Sequence, residues 1–400
     1  MAIATVEHVE RRARVLKALD GAVGLVLSGD VAQPLHGPWS ADPYFTYLTG
    51  LRDEAGAGVL FDARAEDPRL ACVLLLKPRN PEMEVWDGYR DPISLALRER
   101  LGFTSIKRTG ELPRLLTQAL RLRKRAACLH PFAVYDGPVS PDLALFRRVA
   151  ERVPGVAIED RTNLLRKMRA VKSEAEIALM RRAARVTHKG YARLLAMLAP
   201  GVGEQQVQRV LDEVFASQGG GHAYGPIVGS GLNGTVLHYK ANRGPVGEGD
   251  LVVIDAGASV EGYACDVTRT FPASGRFTPD QRAVYEVVLR AQEAGIAAVR
   301  PGARLSDADR AARDAIEAAG FGDFYPHGIG HQLGLEVHDA TPDDPLEPGM
   351  VVTIEPGVYL PDRALGVRIE DDILVTPAGG ENLTASIPKS IEAIELAMRR

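Results

Sequence analysis

Four carboxylates lie at matching places in two similar stretches of the chain. Residues 250–271 read DLVVIDAGASVEGYACDVTRTF, and residues 350–376 read MVVTIEPGVYLPDRALGVRIEDDILVT. In each stretch a β-branched run ends at a carboxylate and a glycine turn, and a second carboxylate follows more than ten residues later. The four residues are Asp255 and Asp266 in the first stretch, and Glu355 and Glu370 in the second. Because LVVIDAG and VVTIEPG align closely, we interpret the two stretches as copies of one supersecondary unit.

Carboxylates that converge within apolar sequence require a positive partner. Burial of an ionised carboxylate is costly unless the group is paired or binds a cation. The chain also supplies imidazoles in residues 325–339, YPHGIGHQLGLEVHD, which contain His327, His331 and His338. Four carboxylates with one imidazole and no thiolate suit hard or borderline divalent ions, Mn²⁺ before Zn²⁺. The pattern therefore predicts a two-metal hydrolase site.

The histidines differ in what their surroundings suggest. His327 and His331 are four residues apart, a spacing that suits two ligands on one helix. Gly328 and Gly330 argue against a helix there, and the glutamate of a zinc-protease helix is missing. We therefore expect one of the pair to bind metal and the other to contact substrate. His238, in VLHY, has on its own only the features of a core histidine.

Arg368 is a basic residue close to this acidic pattern, two positions before Glu370. We predict that both residues lie on one strand, and because side chains alternate along a strand, they would point to the same face. Arg368 is then either a structural counter-ion or a group that holds a substrate carboxylate or a ligand in place.

The composition is that of a globular protein with two or three domains. The chain has 400 residues, of which 46% are hydrophobic and 25% charged. Its net charge of -4 gives no reason to expect nucleic acid or an anionic membrane as a partner. The first residues carry charges where a signal peptide needs an apolar core, and no stretch reaches membrane-span length. Three widely spaced cysteines argue against a disulfide framework, so we expect a cytoplasmic protein.

The elements that position these residues fall into two predicted domains of mixed α/β (α+β) class. Short apolar runs separated by helical stretches predict an N-terminal α/β domain over residues 1–165. Its segment EVWDGYRD is predicted to be a loop, from which Trp86 would line a cleft. Residues 166–400 form the predicted second domain.

The second domain is predicted to be internally duplicated. Capping boxes predict helices that begin after Ser173 and Thr278. Each of these helices is followed by a second helix and then by one of the two carboxylate hairpins. The repeat would place the hairpins side by side on curved sheets about a pseudo-two-fold axis, with the metal site at their seam.

Several motifs resemble those of one enzyme family. They are IVGSG with LHY, GYACDVTRTFP, HGIGHQLGLEVHD, EPGVY, RIEDDILVT and ENLTAS. The chain resembles the metallopeptidases of the pita-bread fold, which include methionine aminopeptidase, prolidase, creatinase and aminopeptidase P, and it most resembles aminopeptidase P. YLTG and EVWDGYRD are similar to the first domain of aminopeptidase P, so the likeness covers most of the chain. The implied fold is an N-terminal α/β domain followed by a pita-bread catalytic domain.

The resemblance implies a role for each candidate residue. Two divalent ions, Mn²⁺ first and Co²⁺ or Zn²⁺ as alternatives, would share a hydroxide that attacks the scissile carbonyl. The implied metal ligands are Asp255 on one ion, His331 and Glu355 on the other, and Asp266 and Glu370 bridging both. The implied catalytic residues are Glu355 as proton carrier, His238 and His338 at the substrate carbonyl, His327 at the pocket and Arg368 as support. Trp86 and Tyr224 complete the substrate-binding candidates.

The implied activity is removal of an N-terminal residue that precedes proline, so the expected partners are peptides with proline at the second position. The loops before HGIGH and between EPGVYL and RIED are shorter than in larger aminopeptidases P and resemble those of compact prolidases. An Xaa-Pro dipeptidase is therefore an alternative. Creatinase-type hydrolysis needs no metal, and a non-catalytic peptide-binding scaffold would have lost ligands, so the complete ligand set disfavours both. The resemblance also implies a homodimer.

Overall fold

The chain forms two units, each with its own sheets and helices. The computed structural model describes residues 2–29, 39–132, 135–342 and 344–399. One unit is Ile3–Met168, and the second begins at Arg169. Within the described part of the chain, no helix combines the length and apolar character needed to cross a bilayer.

The N-terminal unit is built on one six-stranded mixed sheet, in the order β4-β3-β2-β1-β5-β6. Its strands are β1 (Val23–Leu27), β2 (Gly58–Asp62), β3 (Cys72–Leu76), β4 (Ser105–Arg108), β5 (Arg125–Cys128) and β6 (Ala157–Asp160). Its helices are α1 (Thr5–Ala18), α2 (Pro43–Thr49), α3 (Pro81–Asp87), α4 (Leu95–Leu101), α5 (Leu112–Arg123) and α6 (Pro141–Ala150), with α7 (Thr162–Ala170) reaching the second unit. The central strands are apolar and buried almost throughout, as expected for a sheet covered on both faces.

Trp86 lies in helix α3, so the prediction of a loop at EVWDGYRD was wrong for this residue. The helix begins at Asn80, whose side chain accepts hydrogen bonds from the backbone N–H groups of Glu82 and Met83 at 3.1 and 3.4 Å. Pro81 occupies the first helical position, where its missing N–H costs nothing. The Asn-Pro pair is therefore a local signal for the start of this helix.

The second unit contains the remaining elements. Its helices are α8 (Glu174–Leu195), α9 (Glu204–Ser217), α10 (Pro279–Ala298), α11 (Leu305–Ala318) and α12 (Ile391–Ala397). Its first six strands are β7 (Gly221–His222), β8 (Ile227–Ser230), β9 (Leu251–Asp255), β10 (Ala258–Val260), β11 (Tyr263–Ala264) and β12 (Thr268–Pro272). Its last five are β13 (Val351–Ile354), β14 (Gly357–Leu360), β15 (Leu365–Arg368), β16 (Asp371–Thr376) and β17 (Gly379–Asn382).

The same order of elements occurs twice in this unit, which confirms the predicted duplication. The helix pair α8 and α9 precedes the strands β9 to β12, and the pair α10 and α11 precedes β13 to β16. In each copy the outer strands pair antiparallel, β9 with β12 and β13 with β16, and the inner two form a hairpin. Each copy therefore presents its carboxylates at the ends of paired strands.

Both predicted capping boxes are present. The Ser173 hydroxyl accepts from Glu176 N at 3.3 Å, and the Glu176 carboxylate accepts from Ser173 N at 2.9 Å. Thr278 and Gln281 make the same reciprocal pair at 3.3 and 3.0 Å. These bonds satisfy backbone donors that a helix leaves free at its start, and so fix where α8 and α10 begin.

Candidate metal centre and active site

The two hairpins meet along residues 268–270 and 368–370. Glu370 N donates to the Thr268 carbonyl at 3.0 Å, and the Thr268 hydroxyl donates to Glu370 Oε2 at 2.7 Å. The Thr270 hydroxyl donates to the Arg368 carbonyl at 3.0 Å and accepts from Arg368 N at 3.1 Å. These bonds join segments about 100 residues apart and form the seam that the duplication predicted.

The remaining carboxylates stand beside this seam. Asp255 is the last residue of β9, and it lies opposite Thr268 of β12 in the strand pairing. Asp266 comes just before β12, and Glu355 comes directly after β13. Each carboxylate sits close to the point where a regular strand begins or ends, so the sheet holds its backbone while its side chain lines the cavity.

His331 reaches the site from a non-helical segment that runs alongside β13. Thr353 N donates to the His331 carbonyl at 2.9 Å, and Glu355 N donates to the Ile329 carbonyl at 2.8 Å. The Thr353 hydroxyl accepts from His331 N at 3.0 Å. This pairing places His331 Nε2 at 3.5 Å from Glu355 Oε1 and at 3.7 Å from Asp266 Oδ2.

Three of the predicted ligands form a compact donor set. One ligand atom each from Asp266, His331 and Glu370 lies within 4.8 Å of the other two. Asp255 and Glu355 line the same cavity. Four carboxylates and one imidazole, with no thiolate, are a donor set that suits a hard or borderline divalent cation.

Three carboxyl groups of the site have raised pKa values, so Arg368 alone does not compensate their negative charge. Burial, and then the neighbouring carboxylates, raise the pKa values of Asp266 and Glu370 well above their ordinary range. Burial also raises the pKa of Glu355 to about 7, although nearby Arg368 lowers it. Burial lowers the pKa of His331 to about 4, so its imidazole is neutral at neutral pH and able to coordinate. A divalent cation is the partner that this arrangement fits.

Arg368 is buried and holds three groups of the site. Its guanidinium donates to Asp255 Oδ2 at 2.8 Å, to the Tyr359 hydroxyl at 3.1 Å and to Thr268 Oγ1 at 3.0 Å. The assumption that Arg368 and Glu370 share one strand was wrong, because Arg368 ends β15 and Glu370 lies between β15 and β16. The two side chains are connected instead through the Thr268 hydroxyl, which donates to Glu370.

Two tyrosines extend this network. The Tyr224 hydroxyl donates to Asp255 Oδ1 at 2.6 Å, a contact to a carboxylate of the site that its prediction as a substrate-binding residue did not include. Tyr359 was not predicted, although it is the tyrosine of EPGVY; its hydroxyl lies 2.9 Å from His327 Nε2. Thr268 and Thr353 were also missed. A hydroxyl residue in a strand carries no local signal of its role, because its partners are distant in sequence.

The three other predicted histidines line the cavity that the ligands share. The ring centroids of His331 and His338 lie 4.2 Å apart, and the rings are arranged edge-on. Burial lowers the pKa of His327 to about 4. His238 and His338 are exposed, so their imidazoles are available to a bound molecule. Trp86 belongs to the N-terminal unit, where its side chain is 82% exposed.

The cavity itself is large enough for a short peptide. Its volume is about 540 Å³. Acidic ligands, the three histidines and Arg368 form one part of its wall, and Ile227, Leu237 and Val337 are among the apolar residues of the rest.

Residues 178–377 match the model of metallopeptidase family M24, and residues 8–128 match that of the N-terminal domain of aminopeptidase P. The chain belongs to metallopeptidase family M24. It is 32% identical to the Xaa-Pro aminopeptidase of Haemophilus influenzae over 98% of this chain and 97% of that relative. This M24 member is therefore a hydrolase of the metallopeptidase class, and the scaffold alternative is not supported.

Solved structures of relatives share the whole architecture. The Pseudomonas aeruginosa aminopeptidase PepP has a TM-score of 0.89 and 31% identity, with 100% of this chain and 99% of that chain covered. Aminopeptidase P from Escherichia coli, solved with the inhibitor Pro-Leu, has a TM-score of 0.86 and 30% identity, with 100% and 99% covered. The predicted fold, an N-terminal α/β domain followed by a pita-bread domain, is confirmed.

Proposed function

We propose that the protein is a metal-dependent aminopeptidase that hydrolyses the Xaa-Pro bond at the N-terminus of peptides. The observation that carries this proposal is the single cavity lined by all five predicted ligands and by three further histidines. The full-length relative from Haemophilus influenzae is a Xaa-Pro aminopeptidase, and the Escherichia coli enzyme binds Pro-Leu, a dipeptide that begins with proline. The Xaa-Pro dipeptidase alternative is therefore not favoured.

The proposed cofactor is a pair of divalent ions, most simply Mn²⁺, with Co²⁺ or Zn²⁺ as alternatives. The residues that would hold them are Asp255, Asp266, His331, Glu355 and Glu370. Divalent ions bound there would lower the pKa of a water molecule and polarise the scissile carbonyl. The preference for Mn²⁺ is supported by the four oxygen ligands against one nitrogen.

The chain's own residues would then guide the proton and the substrate. Glu355, a half-buried residue that lines the cavity, would accept the proton of the attacking water and deliver it to the departing amine. His238 and His338, which are exposed in the cavity, would donate hydrogen bonds to the substrate carbonyl as negative charge develops on its oxygen. Arg368 keeps Asp255 in position through its hydrogen bond.

The preference for proline is explained by two features of the substrate bond and the cavity. The bond before proline is a tertiary amide without an N–H, so the site needs no acceptor for that group. The apolar side chains of Ile227, Leu237 and Val337 provide a surface that suits the pyrrolidine ring. We retain Tyr224 and Trp86 as predicted contacts to the substrate.

We also propose that the protein is a cytoplasmic homodimer. The three cysteines are free, which is the usual state in a reducing compartment. Val85, Trp86 and Tyr89 are 71%, 82% and 87% exposed, and such apolar groups often mark a protein interface. Light scattering coupled to gel filtration tests the dimer directly.

The activity is tested with metal-stripped protein to which Mn²⁺, Co²⁺ or Zn²⁺ is returned. We expect Gly-Pro-Leu to be cut to glycine and Pro-Leu, fastest with Mn²⁺, and Gly-Ala-Leu to be a poor substrate. Steady-state rates measured separately with Gly-Pro distinguish an Xaa-Pro aminopeptidase from an Xaa-Pro dipeptidase. Cleavage of Gly-Pro alone would make the protein a dipeptidase, and no cleavage of either peptide with any metal would refute the proposal.

A further inference from the structure

Lys240 is a basic residue of the cavity that the proposed mechanism does not use. The side chains with a permanent positive charge that line the cavity are Arg368 and Lys240. The Arg368 guanidinium is buried and already bonded to Asp255, Tyr359 and Thr268. Lys240 is exposed, and among the described residues it has no ion-pair or hydrogen-bond partner. Its ammonium is therefore available to an anionic group of a bound molecule.

The backbone around Lys240 is held on both sides. The hydroxyl of Tyr239 accepts from Asn233 Nδ2 at 3.1 Å and from Arg243 N at 3.2 Å. The buried side chain of Asn242 accepts from Val228 N at 2.9 Å. The same amide donates to the carbonyl of Pro226 at 2.8 Å and to the side chain of Gln208 at 3.0 Å. Because these bonds anchor the segment, the Lys240 side chain extends from a fixed point at the cavity wall.

The cavity corresponds in size to a short stretch of extended peptide. A compact cavity of 540 Å³ is roughly 10 Å across, which corresponds to about three extended residues at 3.3–3.6 Å each. A tripeptide with its first two residues at the catalytic groups would therefore have its C-terminal carboxylate near the cavity mouth. A carboxylate that leaves bulk water for the cavity is stabilised by a nearby positive charge, and the ammonium of Lys240 is a group that would supply it.

We propose that Lys240 binds the C-terminal carboxylate of short substrates, so that the enzyme favours free Xaa-Pro-Xaa tripeptides over peptides whose third residue is amidated or extended. This inference rests on the proposed function and identifies the substrate class of the same site. Lysine provides a point charge at the end of a flexible stem. Such a charge suits a carboxylate whose position depends on which amino acid is the third residue of the peptide.

The test compares hydrolysis of Gly-Pro-Leu with that of Gly-Pro-Leu amide. The wild-type enzyme is expected to favour the free acid in kcat/KM by about two- to fivefold, mainly through KM, because one charge-assisted contact near the surface is lost in the amide. Lys240→Met should abolish this preference, and Lys240→Arg should largely keep it. Arg243→Met, which removes an exposed positive charge from the same segment, is the matched control and should keep it. The wild-type preference should also shrink as salt is added.

The acid-to-amide ratio is measured within each protein, so differences in folding or metal content between variants cancel. An unchanged ratio in Lys240→Met would overturn the inference while leaving the aminopeptidase activity intact. Loss of the preference in Arg243→Met as well would also overturn it, because general electrostatics would then be the cause. Failure of the wild-type enzyme to cut either peptide would refute the proposed function, and this inference with it.

Discussion

At the scale of single residues, the site separates groups that hold a cation from groups that face the substrate. Glu355 lies 3.5 Å from His331 Nε2 and has a pKa raised to about 7 by burial. The ring of His338 packs edge-on against the same imidazole, with 4.2 Å between the ring centroids, and the His338 side chain is exposed. The two residues are therefore expected to fail in different ways when they are replaced.

We expect Glu355→Ala to abolish turnover and weaken metal binding, and His338→Ala to lower kcat by about 10²- to 10⁴-fold while metal is retained. The reason is that Glu355 would supply both a ligand and a proton carrier, whereas His338 would act on the substrate. Metal content by elemental analysis and steady-state kinetics check both variants. Full activity in metal-loaded Glu355→Ala, or a metal-free His338→Ala protein, would contradict these roles.

At the scale of elements, the approach of the His331 segment to β13 depends on a glycine. A Cβ added to Gly330 would lie 2.1 Å from the Thr353 carbonyl oxygen, far inside van der Waals contact. The backbone of Gly330 also has φ +155°, which L side chains rarely adopt. The glycine therefore allows the hydrogen bonds that bring His331 beside Glu355.

Gly330→Ala is expected to push the segment away from β13, lower metal affinity at least tenfold and reduce thermal stability. Gly328→Ala is the matched control, because a Cβ there meets no atom within 4 Å. Calorimetric titration with Mn²⁺ and a melting curve are the measurements. If Gly330→Ala bound metal as tightly as Gly328→Ala, the close approach of Gly330 to Thr353 would not be what positions His331.

At the scale of the whole molecule, the uncompensated carboxylates belong to the second unit. Folding this unit brings Asp266, Glu355 and Glu370 into surroundings that raise their pKa values. The metal-free folded state then keeps protons that the unfolded chain releases. The contribution of these three carboxyl groups to its free energy of unfolding therefore falls as pH rises from about 4.5, the ordinary glutamate pKa, towards about 7, whereas the lowered pKa of His331 contributes in the opposite direction.

Bound cation would replace those protons, so the stabilisation by metal should grow with pH. We expect the Tm difference between Mn²⁺-loaded and chelator-treated protein to increase between pH about 5 and about 8. Differential scanning calorimetry measures the difference. Hydrogen exchange should show that the chelator-treated protein loses amide protection in β9, β12, β13 and β16 relative to the Mn²⁺-loaded protein. The N-terminal sheet serves as the internal comparison. A Tm difference that shrinks with pH would contradict the sign of this linkage.

The sequence by itself determined the elements and the residue types of the site. Strand runs that end in a carboxylate and a glycine, and capping boxes at Ser173 and Thr278, are signals contained within a few residues. The repeat of these signals was enough to predict the duplication and to place Asp255 and Glu355 at equivalent strand ends. Even the missed helix at Trp86 had a local signal, the Asn-Pro pair before it.

Only the tertiary structure decided which groups touch. Arg368 bonds to Asp255 and Tyr359, Thr268 donates to Glu370, and Lys240 lacks a partner among the described residues. Most of these contacts join residues about 100 positions apart, so they depend on how the two hairpins pack and on strand register. A shift of one residue in a strand would turn each of its side chains to the other face. Local sequence signals specify strands and turns, but packing selects the register that assembles the site.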